Sequence, residues 1–119
     1  MADPDHRLTG EGLLEGVTEA LSRAHDRYYG RRPAAARSRL IDGEMLVCVM
    51  GGVYSEVEKT LIELQERPLV DGIRGEFQHA MRDQLVASVE RLSGRTVETF
   101  ISTNHVGPDL EIEIFVLAP

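Results

Sequence analysis

The sequence predicts an α+β domain, a two-layer sandwich in which helices pack on one face of a four-stranded, mainly antiparallel sheet. Three features predict it. Residues 70–93 carry Val70, Ile73, Phe77, Ala80, Met81, Leu85, Val89 and Leu92 at the spacing of one helix face. Asp42-Gly43 lies between two β-prone runs, and both central positions of a two-residue hairpin turn favour a positive φ. Leu110, Ile112, Ile114 and Val116 alternate with Glu111, Glu113, Phe115 and Leu117, the period of a strand.

The elements follow in the order α-ββ-α-α-ββ. Residues 1–10 are polar, with Pro4 and Gly10, and are expected to be a flexible segment ahead of one domain over 11–118. From Glu11, the positions Leu13, Leu14, Val17, Ala20, Leu21, Ala24 and Tyr28 trace an amphipathic helix. Gly30 ends it and Pro33 blocks its continuation. Residues 35–51 form the first hairpin. Its second strand, Met45 to Met50, is almost wholly apolar, so it belongs inside a sheet or under cover on both faces.

Gly51-Gly52 breaks that strand. Ser55 and Glu58 then stand at capping-box spacing, opening a helix that runs through Val57, Leu61 and Leu64 to about Glu66. Pro68 separates it from the long helix. On that helix Arg74, Glu76, Arg82, Asp83 and Glu90 are expected on the polar face, and Ser93-Gly94 closes it. Residues 95–117 form the second hairpin around Val106-Gly-Pro-Asp109. Glu111 and Glu113 predict a wet face for the first half of its last strand. The helices leave the other sheet face exposed or buried in an oligomer. The apolar second strand and the apolar end of the last one favour an oligomer.

The chain has 119 residues and a net charge of −7, which speaks against general nucleic-acid binding. The one basic cluster, Arg31, Arg32, Arg37 and Arg39, is short and has only Tyr28 and Tyr29 as nearby aromatics. A single cysteine, Cys48, excludes an intramolecular disulfide and suits a reducing cytoplasm. The N-terminus lacks the apolar core of a signal peptide. No run approaches the roughly 20 apolar residues of a spanning helix, so any membrane link is expected through a membrane-protein partner rather than by insertion.

Standard catalytic signatures are absent: no phosphate-binding loop, dinucleotide fingerprint or nucleophile elbow. His6, His25, His79 and His105 are widely spaced, so no metal site is assigned, and no cofactor is expected. Cys48 lies between Val47 and Val49 and reads as a small core residue. Asn104, His105 and Asp109 are placed to converge at the tip of the last hairpin. A histidine beside a carboxylate is material for acid–base work or ligand binding. The plainer reading has Asn104 and Asp109 bonding the turn backbone, with His105 in solvent. Gly30-Arg-Arg-Pro33 reads either as an anion-binding corner with Arg31 as the claw or as a helix stop. Arg74 and Glu58 are placed to pair across two helix starts.

An ordered set of segments carries a resemblance. Tyr29-Gly-Arg-Arg-Pro33, Gly51-Gly-Val-Tyr-Ser-Glu-Val-Glu58, Val70-Asp-Gly-Ile-Arg74, Leu92-Ser-Gly94, Asn104-His-Val-Gly-Pro-Asp-Leu110 and Glu113-Ile-Phe-Val-Leu117 together resemble the DUF2294, or MpsC-domain, family over about residues 10–118. Where that family commonly reads Gly-Arg-Gly-Pro, this chain has Arg32, which takes a positive φ less cheaply than glycine. The resemblance implies a small bacterial accessory protein of a membrane cation-translocating system connected with inorganic carbon supply. It brings no established catalytic residues.

The leading expectation is a non-enzymatic, cytoplasmic homodimer acting by protein–protein contact. The alternative is an anion-binding domain using Arg31, Arg74, Asn104 and His105, with Asp109 beside them, which requires the 30–33 and 104–109 turns to lie close together. A third reading is an enzyme built on His105 and Asp109.

Overall fold

The computed structural model describes residues 8–119. Its elements are α1 (Gly10–Tyr29), β1 (Ala35–Ile41), β2 (Met45–Gly51), α2 (Glu56–Glu63), α3 (Arg67–Ser93), β3 (Val97–His105) and β4 (Leu110–Leu117). This is the expected order, and the architecture is α+β. The expected flexibility of residues 1–10 falls mostly on residues 1–7, which lie outside the described residues. Leu8 donates its N–H to Leu92 O at 2.8 Å.

Local chemistry accounts for the boundaries. Gly30 and Gly94 take left-handed φ values of 77° and 69° at the ends of α1 and α3, where a side chain would be strained. Asp42 and Gly43 have φ of 52° and 70°, and Glu44 N–H donates to Ile41 O across their turn. Ser55 Oγ accepts from Glu58 N–H while Glu58 Oε1 accepts from Ser55 N–H, the reciprocal capping box. Arg32 keeps a negative φ and pairs with Glu19 instead, so the departure from glycine costs no strain.

The strands lie in the order β1-β2-β4-β3, every neighbour antiparallel. The two apolar strands are therefore the central ones. α1 and α3 pack together over one face, with α1 against β1 and α3 against β3. Register aligns the inner face in cross-strand rows. Leu40, Leu46, Phe115 and Phe100 form one row, and Ser38, Cys48, Glu113 and Ser102 the next. Ala36, Met50, Glu111 and Asn104 form the third. The core below them is aliphatic: Val17, Leu21, Leu46, Met50, Val53, Val70 and Val89 are all buried.

Two sequence expectations are overturned here. Glu111 and Glu113 do not face water. Both are only 2% exposed and lie on the helix-covered face, while Ile112 and Ile114 face outward. Likewise Arg74 is not on the polar face of α3. It is 1% exposed, whereas Ile73 is 44% exposed. For Arg74 and Glu111 the two corrections share one cause. Arg74 pairs with Glu58 and Glu111 inside the fold, which offsets much of the cost of burying each charge.

Candidate functional site

The site is built where the end of β2, the start of α2 and the last hairpin meet. Gly52 turns the chain out of β2 with φ of 65°, and a Cβ there would meet Ala34 Cβ at 2.5 Å. Only glycine fits this crossing. The next residues, Val53 and Tyr54, are buried. Asp109 holds their backbone: its carboxylate accepts from Val53 N–H at 2.9 Å and from Tyr54 N–H at 3.3 Å. From the opposite side Arg31 Nη1 donates to Tyr54 O at 3.0 Å, and His25 Nδ1 contacts Arg31 O at 2.8 Å.

Arg74 occupies the centre. Its Nε and Nη2 donate to the two oxygens of Glu58 at 2.7 and 2.9 Å, a bidentate fork. Nη2 also donates to Val53 O at 2.7 Å, and Nη1 to Glu111 Oε1 at 3.1 Å. The guanidinium lies between the rings of Tyr29 and Tyr54, 4.4 and 4.5 Å from their centroids, where each ring face attracts the cation. Asn104 Nδ2 donates to Glu111 Oε1 at 3.0 Å, and Gln78 Nε2 donates to Asn104 Oδ1 at 2.8 Å. One arginine thus ties α2, α3, β4 and the 53–54 loop together.

The electrostatics follow from this geometry. Burial works against the charge of Arg74, but the Glu58 hydrogen bond and the charges of Glu58, Tyr29 and Glu111 together outweigh it and raise the pKa. Burial likewise opposes ionisation of Glu58, yet the Arg74 and Ser55 bonds hold its carboxyl below the usual range. Glu113 has no such cation. Burial, followed by the neighbouring Glu111 charge, pushes it up to about 9, so it is protonated at neutral pH. Burial holds His25 below its ordinary value and therefore neutral, and pushes the Cys48 thiol up to about 11. That thiol is fully buried and unreactive by these criteria.

Four of the five residues singled out from sequence meet in this frame. Arg31, Arg74 and Asp109 converge on residues 53–54, and Asn104 joins through Glu111. The 30–33 and 104–109 turns are linked through residues 53–54, which the Arg31 and Asp109 side chains both reach. The donors of Arg74 are engaged with protein groups, and the residue is shut from solvent. His105 stands apart, exposed, with Nδ1 against Pro108 O at 3.1 Å. Sequence reasoning missed Glu111, Glu113, His25, Tyr29 and Tyr54. The usable signal was Arg74 itself, which continues the series 70, 74, 77, 81, 85 better than Ile73 does.

Across residues 11–119 the chain matches the family model described as "Na+-translocating membrane potential-generating system (MpsC)". The chain belongs to the MpsC family. Neither the comparison with curated proteins nor that with solved structures returned a match. Among the described residues, no helix of this MpsC chain is long and apolar enough to cross a membrane, and no group of three metal-ligating side chains is assembled.

Proposed function

We propose that this MpsC chain is a non-enzymatic accessory module that works by protein contact, as a homodimer joined through the uncovered face of its sheet. The observation that carries this is the composition of that face. Register sets Arg39, Val47, Ile114 and Ile101 in one outward row and Arg37, Val49, Ile112 and Thr103 in the next. A third row holds Ile41, Met45, Val116 and Thr99. Apolar residues fill the two central strands, while the edge strands mix Arg37, Arg39, Thr99 and Thr103 with Ile41 and Ile101, an apolar centre inside a partly polar rim. None of Val47, Val49, Ile112, Ile114 and Val116 joins the core cluster.

The size suits a second copy. Four strands about 4.8 Å apart and about seven residues long make a face of roughly 19 by 23 Å. Side-chain relief brings its accessible area toward the roughly 800 Å2 that each partner contributes to a standard interface. A two-fold axis along the strands sets β1 of one copy over β3 of the other and β2 over β4. Arg37 then meets Thr103 and Arg39 meets Ile101 rather than another arginine, and the sheets stack face to face. In this reading Arg31, Arg74, Asn104 and Asp109 are not ligand contacts. They brace the sheet from behind. The family description supports a Na+-translocating, membrane potential-generating system as the setting; in the proposed reading other subunits carry transport and this chain sits on the cytoplasmic side.

Sedimentation equilibrium over a concentration series tests the assembly. Self-association to a dimer supports it. A chain that stays monomeric at every concentration overturns it.

A further inference from the structure

α2 is held to the fold by charge more than by apolar packing. The Glu58 carboxylate accepts from Arg74 and from Ser55 N–H. Of the apolar residues of the helix, only Leu61 and Ile62 pack against the core cluster, and none of its residues is buried. Val57, Leu61 and Leu64 recur at the spacing of one helix face, yet Val57 is 69% and Leu64 65% exposed. Just beyond, Leu69 and Ile73 stand one turn apart on α3 and are 50% and 44% exposed. The other exposed large apolar side chains among the described residues, Leu40, Ile41 and Ile101, belong to the edge strands. Residues 63–69 are exposed without interruption, so the corner between the two helices is open.

The charge around this corner selects its occupant. Lys59 pairs with Glu56 at 3.5 Å and Arg67 with Asp71 at 3.4 Å, which engages both exposed cations between Ser55 and Glu76. Glu63, Glu66 and Glu76 are also exposed and make no ion pair among the described residues. Three unbalanced carboxylates thus border the apolar side chains. An anionic lipid surface is repelled by them. A second copy turned about a two-fold axis would lay the same acidic border on itself. A cationic partner is drawn in and oriented by them.

We propose that the α2–α3 corner is a docking site for a basic amphipathic helix of another protein, whose apolar face covers Val57, Leu64, Leu69 and Ile73 and whose lysines or arginines meet Glu63, Glu66 and Glu76. Recognition of this kind reads apolar anchors at helical spacing on the partner, and the flanking charges set its direction and speed its approach. The capping box and the Arg74–Glu58 fork fix α2 in advance, so little ordering cost falls on this chain when the partner arrives. No residue of the corner belongs to the sheet. The site therefore extends the protein-contact reading to a second surface and stands whether or not the chain dimerises.

Methyl NMR and fluorescence anisotropy on the full chain test this with a synthetic helix of about 18 residues, leucines on one face and lysines on the other. A shuffled peptide of the same composition, and vesicles of phosphatidylcholine with phosphatidylglycerol, are run beside it. The amphipathic helix is expected to bind saturably, more tightly than the shuffled peptide, and to shift the methyl signals of Val57, Leu64, Leu69 and Ile73. The chain carrying both Leu64→Ser and Leu69→Ser, two exposed positions, should bind it roughly tenfold more weakly or worse. Ile114→Lys should bind it as the wild type does, which separates this site from the dimer face. If the double variant does not fold, the wild-type methyl map carries the same test. No saturable binding, equal binding of the shuffled peptide, unchanged affinity in the folded double variant, methyl shifts confined to the sheet, or capture by the vesicles overturns the proposal.

Discussion

The two faces of the sheet invert the usual placement of residues. The face under the helices carries Glu111, Glu113, Ser38, Ser102 and Asn104, and the face away from them carries Val47, Val49, Ile112, Ile114 and Val116. On the inner side, polar groups survive burial because each has a neighbour of matching chemistry: Arg74 for Glu111, Ser102 and a proton for Glu113. On the outer side, the aliphatic groups have no counterpart among the described residues. The inner face is closed by the fold itself, whereas the outer face is left as an apolar surface, the kind that the proposed dimer would cover.

The inner face gives the largest expected effect. Arg74→Met leaves Glu58 and Glu111 as buried carboxylates without their cation, and should lower the unfolding free energy by about 3–5 kcal/mol. Urea denaturation measures this; a loss under about 1 kcal/mol would mean that the network is not what closes that face.

The proton on Glu113 sharpens the same point. Its folded pKa is raised to about 9, so folding takes up a proton. The stabilisation is complete below the unfolded carboxyl pKa of about 4.3 and is lost progressively as pH rises through about 9. Glu113→Gln keeps the shape without the titration. Relative to its own value at pH 5, the variant should retain on the order of a few kcal/mol more than the wild type at pH 9. His25 acts on the other limb. Its folded pKa is depressed, so its contribution is present above the unfolded value of about 6.5 and falls away below it. Parallel pH–stability curves for wild type and Glu113→Gln would contradict the protonated carboxyl.

On the outer face, Ile114→Lys places a charge at the centre of the apolar rows. It should weaken self-association by about 2 kcal/mol or more, roughly 30-fold, with circular dichroism unchanged. The smallest effect belongs to an exposed ion pair between α1 and the turn that follows it. Arg32 and Glu19 are each about half exposed, and Arg32→Gly should leave the melting temperature essentially unchanged; a large drop would contradict this.

Much of the fold was legible because local signals and the global pattern agree. Asp42-Gly43, the Ser55–Glu58 box and the two glycine helix stops each act within a few residues. The strand order, with the two apolar strands central, follows from the same logic. The site was only half legible. Arg31, Arg74, Asn104 and Asp109 stood out as polar residues in unusual settings, and they do converge. Their roles were hidden because burial of a charge is decided by partners distant in sequence. Glu111 lies 37 residues from Arg74, and alternation alone assigns a glutamate to water.

The account turns on what covers the outer face, and the most direct measurement is solution mass by light scattering coupled to size exclusion, on the wild type beside Ile114→Lys. The account predicts a wild-type mass twice that of the 13.2 kDa chain and a variant at the chain mass. A wild type at 13.2 kDa, or a variant that remains dimeric, would contradict it.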